Sequence, residues 1–84
     1  MHYRNGREAK NGDIVVRLNE LGRIEAFGVL QDAVPGNEYC NGNIVTTNGG
    51  VRLQTYACMC DCLHIDDVAA MLKEKGLDKR PGGK

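Results

Sequence analysis

The run Cys58-Met59-Cys60-Asp61-Cys62-Leu63-His64 sets three thiols and an imidazole at every second position. Thiolate and imidazole are ligands that zinc favours, and a thiol beside an imidazole is also the pair used in nucleophilic catalysis. Side chains alternate across a strand, so in an unbroken strand all four groups point the same way. In that strand Cys58 and Cys62 stand ~13 Å apart at ~3.3 Å per residue, so a shared metal requires a bend. Cys40 could complete a ligand set, but the chain has no Cys-x-x-Cys, the spacing that marks most structural zinc sites. The leading reading of the cysteines is packing as small hydrophobes. The competing one is a zinc-stabilised domain using Cys40, Cys58, Cys60, Cys62 and His64.

Cysteine catalysis also needs a third group to orient the base, and a small domain without a deep pocket is a poor host for such a triad. Asp66-Asp67 lacks the spaced acidic ligands of a calcium loop and is read as helix capping. Neither Gly-x-x-x-x-Gly-Lys nor Gly-x-Gly-x-x-Gly occurs, so no phosphate-binding loop is expected. No enzymatic activity and no cofactor are expected.

The elements that must position these residues are strands. Glycine occurs eleven times, and Asn-Gly steps fall at Asn5-Gly6, Asn11-Gly12, Asn41-Gly42 and Asn48-Gly49. Both residues tolerate positive φ, so each step is read as a turn. His2 to Arg4 and Arg7 to Ala9 form a short hairpin on this reading, and Ile14 to Leu18 the first full strand. Arg23 to Gln31 follows after the Asn19–Gly22 turn, with Gly28 marking a bulge or bend. Residues 32 to 42 have no period and form the longest loop, with Pro35-Gly36 at its turn. Ile44 to Thr47 and Val51 to Ala57 make a hairpin about Asn48-Gly49-Gly50. On strand alternation the odd positions after Val51 are the more apolar face, which leaves the thiols on the polar one. A continuous strand from 51 to 65 would span about 50 Å, too long for so small a domain, and the break is placed near Cys60-Asp61.

One helix is expected, over 67–75, capped by Asp66, with Val68, Met71 and Leu72 on a core-facing stripe. Gly76 closes it in the left-handed conformation, and Leu77 meets Leu72. Residues 78–84 are polar and read as a flexible tail.

Eighty-four residues, 42% hydrophobic and 26% charged, make a single small domain over residues 1–77. Strands followed by one helix make it mainly β: a small antiparallel barrel or strongly curled sheet with a C-terminal helix. Tyr3-Arg4-Asn5-Gly6, Asn11-Gly12-Asp13-Ile14-Val15, Gly22-Arg23-Ile24 and Gly28-Val29 resemble a pattern of short uncharacterised bacterial and phage proteins, itself similar to SH3-like and KOW-type barrels. The resemblance covers the first thirty residues and implies an SH3-like barrel. The KOW comparison would imply contact with nucleic acid, but eleven basic and eleven acidic side chains cancel, which argues against nucleic acid and anionic membrane as partners. The charge is uneven, at +2 over residues 1–17, −5 over 18–72 and +3 over 73–84, as expected of a mixed solvated surface.

No apolar signal segment and no long apolar run occurs, so a cytoplasmic protein with reduced thiols is expected. The functional expectation is a noncatalytic binding or adaptor module, in a protein encoded on a mobile element, with a protein partner or a second copy of itself. Its site is placed on the 32–42 loop at Tyr39, Glu38 and Asn37, because tyrosine offers large contact area at small entropic cost and long loops on a rigid sheet carry recognition.

Overall fold

The computed structural model describes residues 1–34 and 40–82. Five strands form one antiparallel sheet: β1 (Ile14–Leu18), β2 (Ile24–Gln31), β3 (Asn41–Val45), β4 (Arg52–Cys58) and β5 (Cys62–His64). A single 3₁₀ turn, Met59–Asp61, joins β4 to β5, and the helix α1 (Ile65–Glu74) follows. The spatial order is β4-β3-β2-β1-β5.

That order makes the sheet curl. Its two edge strands, β4 and β5, are consecutive in the chain and separated by three residues. Laid flat, the edges of five strands would be about 19 Å apart at ~4.8 Å per gap. The four residue steps from Cys58 to Cys62 reach at most ~14 Å. Between the strongly curled sheet and the closed barrel, the structure takes the first, since β4 and β5 share no ladder. Across the open seam the Arg17 guanidinium on β1 donates a hydrogen bond to Gln54 Oε1 on β4.

The concave side holds the core. Val15, Leu30, Ile44, Met59 and Cys62 are fully buried, and Tyr3, Ala9 and Ala57 pack with them. The turn chemistry explains the strand ends. Gly6, Gly12, Gly22 and Gly49 all take positive φ, and the Asn19 side chain accepts the backbone N–H of Leu21 (2.9 Å) and of Arg23 (3.1 Å) across its turn. The N-terminal hairpin closes through Tyr3 N–H to Arg7 C=O at 2.8 Å. His2 and Glu8 make a single bridge rather than a ladder.

Several expectations are corrected. Asn41-Gly42 is no turn but the start of β3, so the preceding loop ends at Cys40. Gly42 is needed there because a Cβ would stand 2.6 Å from Leu30 Cδ1. Gly28 is no bulge either, since it pairs in register with Val15. It lies where β3 crosses so closely that a Cβ would fall 2.0 Å from the Val45 carbonyl oxygen. The irregularities sit at Arg17/Leu18 and twice in the β3–β4 pairing. The break near Cys60-Asp61 is present as the 3₁₀ turn.

The helix begins two residues earlier than expected, and its cap is His64 rather than Asp66: His64 Nδ1 accepts the Asp66 N–H at 2.9 Å. Its C-terminus closes as expected. Gly76 is left-handed (φ 71°), with Leu77 N–H to Leu72 C=O at 2.8 Å and Gly76 N–H to Lys73 C=O at 3.0 Å. The core-facing stripe is overturned. No residue of α1 is buried, and Leu72 is 44% exposed. The helix touches β5 and β1, and polar groups of the N-terminal hairpin hold its first turn. Asn5 Nδ2 donates to Asp67 Oδ2 at 3.0 Å, and Arg7 Nη1 donates to Asp67 Oδ1 at 3.1 Å. These bonds, that from Asn5 first, hold the Asp67 carboxyl below its usual range.

Candidate functional site

Three left-handed non-glycine residues occur among the described residues: Asp32 (φ 58°), Cys40 (φ 50°) and Tyr56 (φ 53°). Asp32 and Tyr56 line one groove of about 360 Å³ over β3 and β4, together with Val34, Asn43, Arg52 and Thr55. Cys40 directly precedes Asn41, another residue of that groove. Such backbone costs of order 1–3 kcal/mol per residue and persists only where the surroundings impose it.

Asn43 bridges the two walls. Its side-chain N–H donates to Asp32 Oδ2 at 2.8 Å, and its side-chain oxygen accepts the Tyr56 backbone N–H at 3.3 Å. One amide thus braces both strained walls. The register irregularities of the β3–β4 pairing accompany the twist at Tyr56. Tyr56 as a residue is 79% exposed. The groove therefore offers an aromatic face, an apolar wall at Val34, a carboxylate at Asp32 and a guanidinium at Arg52.

Sequence reasoning missed Tyr56, Asp32 and Asn43. Tyr56 looked like one more residue of an alternating strand, and nothing local marks a tyrosine for positive φ. The Asn41-Gly42-Asn43 cluster was the available signal, since Asn side chains commonly hydrogen-bond nearby backbone. The residues expected to form the site, Asn37, Glu38 and Tyr39, lie outside the described residues, as does the Pro35-Gly36 turn.

The cysteine and histidine candidates divide between two places. Met59 is fully buried and anchors the 3₁₀ turn, and its neighbours Cys58 and Cys60 turn outward with their sulfurs 3.0 Å apart. Beyond the turn the alternation resumes with the opposite sense, so that Cys62 is fully buried rather than on a polar face. Its thiol contacts Cys58 C=O at 3.6 Å. Burial, only partly offset by the Arg17 charge, pushes Cys62 up to about 12, so it is a protonated core thiol rather than a nucleophile.

His64 is engaged elsewhere. Its Nδ1 caps α1, and its Nε2 stands 3.6 Å from Asp13 Oδ1. Tyr3 O–H donates to Asp13 Oδ2 at 2.7 Å, and the Lys10 N–H donates to the same oxygen at 3.0 Å. The Tyr3 and His64 rings meet edge to face at 6.2 Å. Partial burial opposes ionisation of Asp13, but the bonds from Tyr3 and Lys10 outweigh it and lower its pKa. Burial first, and then the Asp13 carboxylate, push the Tyr3 phenol well above its usual range. The zinc centre from Cys40, Cys58, Cys60, Cys62 and His64 has no geometric counterpart. Among the described residues no three His, Cys, Asp or Glu side chains are arranged to hold a metal ion.

Among the described residues no helix is long and apolar enough to cross a membrane. No protein-family model, curated protein or solved structure matches the chain.

Proposed function

We propose that the protein is a noncatalytic binding module of the cytoplasm that seats a short segment of a partner protein in the groove over β3 and β4. One observation carries this reading. Tyr56 holds a large amphipathic ring in solvent at the cost of a left-handed backbone, and Asn43 fixes both that backbone and the opposite wall. Exposed aromatics on rigid supports are the side chains from which binding hot spots are built. Val34 supplies an apolar neighbour, and the charges of Asp32 and Arg52 give an extended segment a direction. A regular edge-strand addition is less suited to β4, because its bulged pairing interrupts the ladder that an added strand would copy.

The test separates the ring from the fold. Peptides are selected from a displayed random library against the wild type and measured against Tyr56→Gly and Leu77→Ala. Glycine relieves the left-handed strain while losing some chain entropy, so Tyr56→Gly is expected to be stabilised by about 0.5 kcal/mol and to lose at least tenfold in peptide affinity. Leu77→Ala should bind as the wild type does. A destabilised Tyr56→Gly, or peptides indifferent to that change, overturns the reading.

A further inference from the structure

The Cys-Met-Cys turn is the other chemically loaded feature, and the groove does not use it. Met59 points into the core and throws the two flanking side chains to one side. The backbone around them is fixed at three points. Met59 N–H bonds Cys40 C=O at 3.0 Å, Arg4 N–H bonds Cys62 C=O at 3.0 Å, and Arg4 Nε donates to Cys60 C=O at 3.0 Å. Arg4 also faces Asp61 at 3.5 Å. The sulfurs of Cys58 and Cys60, 3.0 Å apart, lie about 1 Å beyond the ~2.05 Å length of a disulfide bond. Cys60 is exposed and Cys58 half-buried, so one sulfur is open to solvent and the other sits just behind it.

From this arrangement we propose that Cys58 and Cys60 form a reversible dithiol–disulfide couple, oxidised by low-molecular-weight disulfides. The exposed Cys60 thiolate attacks one sulfur of R–S–S–R, forming a mixed disulfide and releasing RS⁻. Cys58 then attacks the Cys60 sulfur, closing the Cys58–Cys60 bond and releasing the second RS⁻. The protein loses two electrons and two protons, and the small disulfide becomes two molecules of RSH. Cys58 is the resolving thiol because it already touches the sulfur it must attack.

Cys60 is held protonated by its contact with Cys58, by partial burial and by the Cys58 and Asp61 charges, with Arg4 opposing. Its first attack is therefore slow at neutral pH and accelerates as the pH rises. Closure then follows quickly, since the second sulfur needs no search.

The experiment uses the whole chain with oxidised glutathione. After incubation the protein is denatured in iodoacetamide without reductant and digested with trypsin, which yields one peptide, residues 53–73, carrying Cys58, Cys60 and Cys62. The expected wild-type product has lost two hydrogens within that peptide and carries one alkyl group, on Cys62. Cys58→Ser is expected to stop at a stable glutathione adduct on Cys60. Cys60→Ser, an exposed substitution whose fold is checked by circular dichroism, should form no bond within the peptide. Wild-type Cys58 and Cys60 that both remain alkylated, a persistent wild-type glutathione adduct, or linkage through Cys62, Cys40 or a second chain overturns the proposal.

Discussion

Replacing Gly28 by alanine adds one methyl group where β2 and β3 come closest. The new Cβ would lie 2.0 Å from the Val45 carbonyl oxygen and 3.0 Å from Ile44 Cγ2. A carbon and a carbonyl oxygen settle at about 3.3 Å or more, so the strands must separate by roughly 1.3 Å. Both neighbours belong to β3, and the oxygen is backbone, which no rotamer change can move aside. The displacement falls on the Val29–Val45, Leu30–Ile44 and Gln31–Asn43 pairing, beside two of the five largest fully buried side chains. Weakening one or two ladder bonds and loosening Leu30 against Ile44 costs about 2–4 kcal/mol in total. The ordinary gain from alanine over glycine in a strand returns only about 0.5–1 kcal/mol. A domain of this size has about 3–5 kcal/mol of stability, so the variant should be largely unfolded in mild urea. Urea denaturation followed by far-ultraviolet circular dichroism measures the shift in midpoint. Gly82→Ala, with nothing within 4 Å of its new methyl, is the control. A Gly28→Ala midpoint within about 0.5 kcal/mol of wild type would refute the close approach and the register that creates it.

Two further outcomes follow from the same contacts. Met59→Ala should cost about 2–5 kcal/mol and Leu72→Ala under about 1 kcal/mol, because the first side chain is fully buried and the second is half in solvent; equal losses in urea midpoints would show that α1 is packed into the core after all. The lowered Asp13 carboxyl contributes stability that is present above the ordinary carboxylate pKa of about 4 and lost as pH falls through its lower folded value, whereas the raised Tyr3 phenol contributes stability present below about pH 10 and lost above it. Thermal melts across pH should therefore show both losses, and Tyr3→Phe should weaken both, the alkaline loss that remains belonging to the buried Cys62 thiol, itself raised to about 12; an unchanged Tyr3→Phe profile would refute the Tyr3–Asp13 coupling.

Strand centres were legible because their physics is local. Ile14–Leu18 is a β-branched run between turns, and Asn48-Gly49 can scarcely be anything but a hairpin tip, so both stand where expected. That the chain bends was legible from length, and its place at Cys60-Asp61 from Asp61, the only charged residue on the apolar face of the run. What escaped depends on partners distant in the chain. The Gly42 step looks like its three siblings, and only its pairing with Ala57 of β4, fifteen positions later, makes it a strand residue. His64 displaces Asp66 as the cap because its ring is already placed between Tyr3 and the helix start. Leu72 has helical spacing, yet spacing reports which residues share a face and not whether anything meets it. Tyr56 escaped for a further reason, since its backbone is set by Asn43, thirteen positions earlier, against its own preference.

The strand order also governs how the chain can fold. Each of the pairings β1–β2, β2–β3 and β3–β4 joins neighbours in sequence, whereas Val16 pairs with Leu63, 47 positions later. Closing a loop of that length in a disordered chain costs about 3.4 kcal/mol in its length-dependent part alone. Once the first four strands have zipped, however, the curled sheet carries the end of β4 round to β1, and only the three-residue turn remains to be bridged. The least local contact thus becomes the cheapest to make last. The strand order therefore leads us to expect a relay in which β5 and its helix arrive after the rest, an order that the folding kinetics of the chain would report.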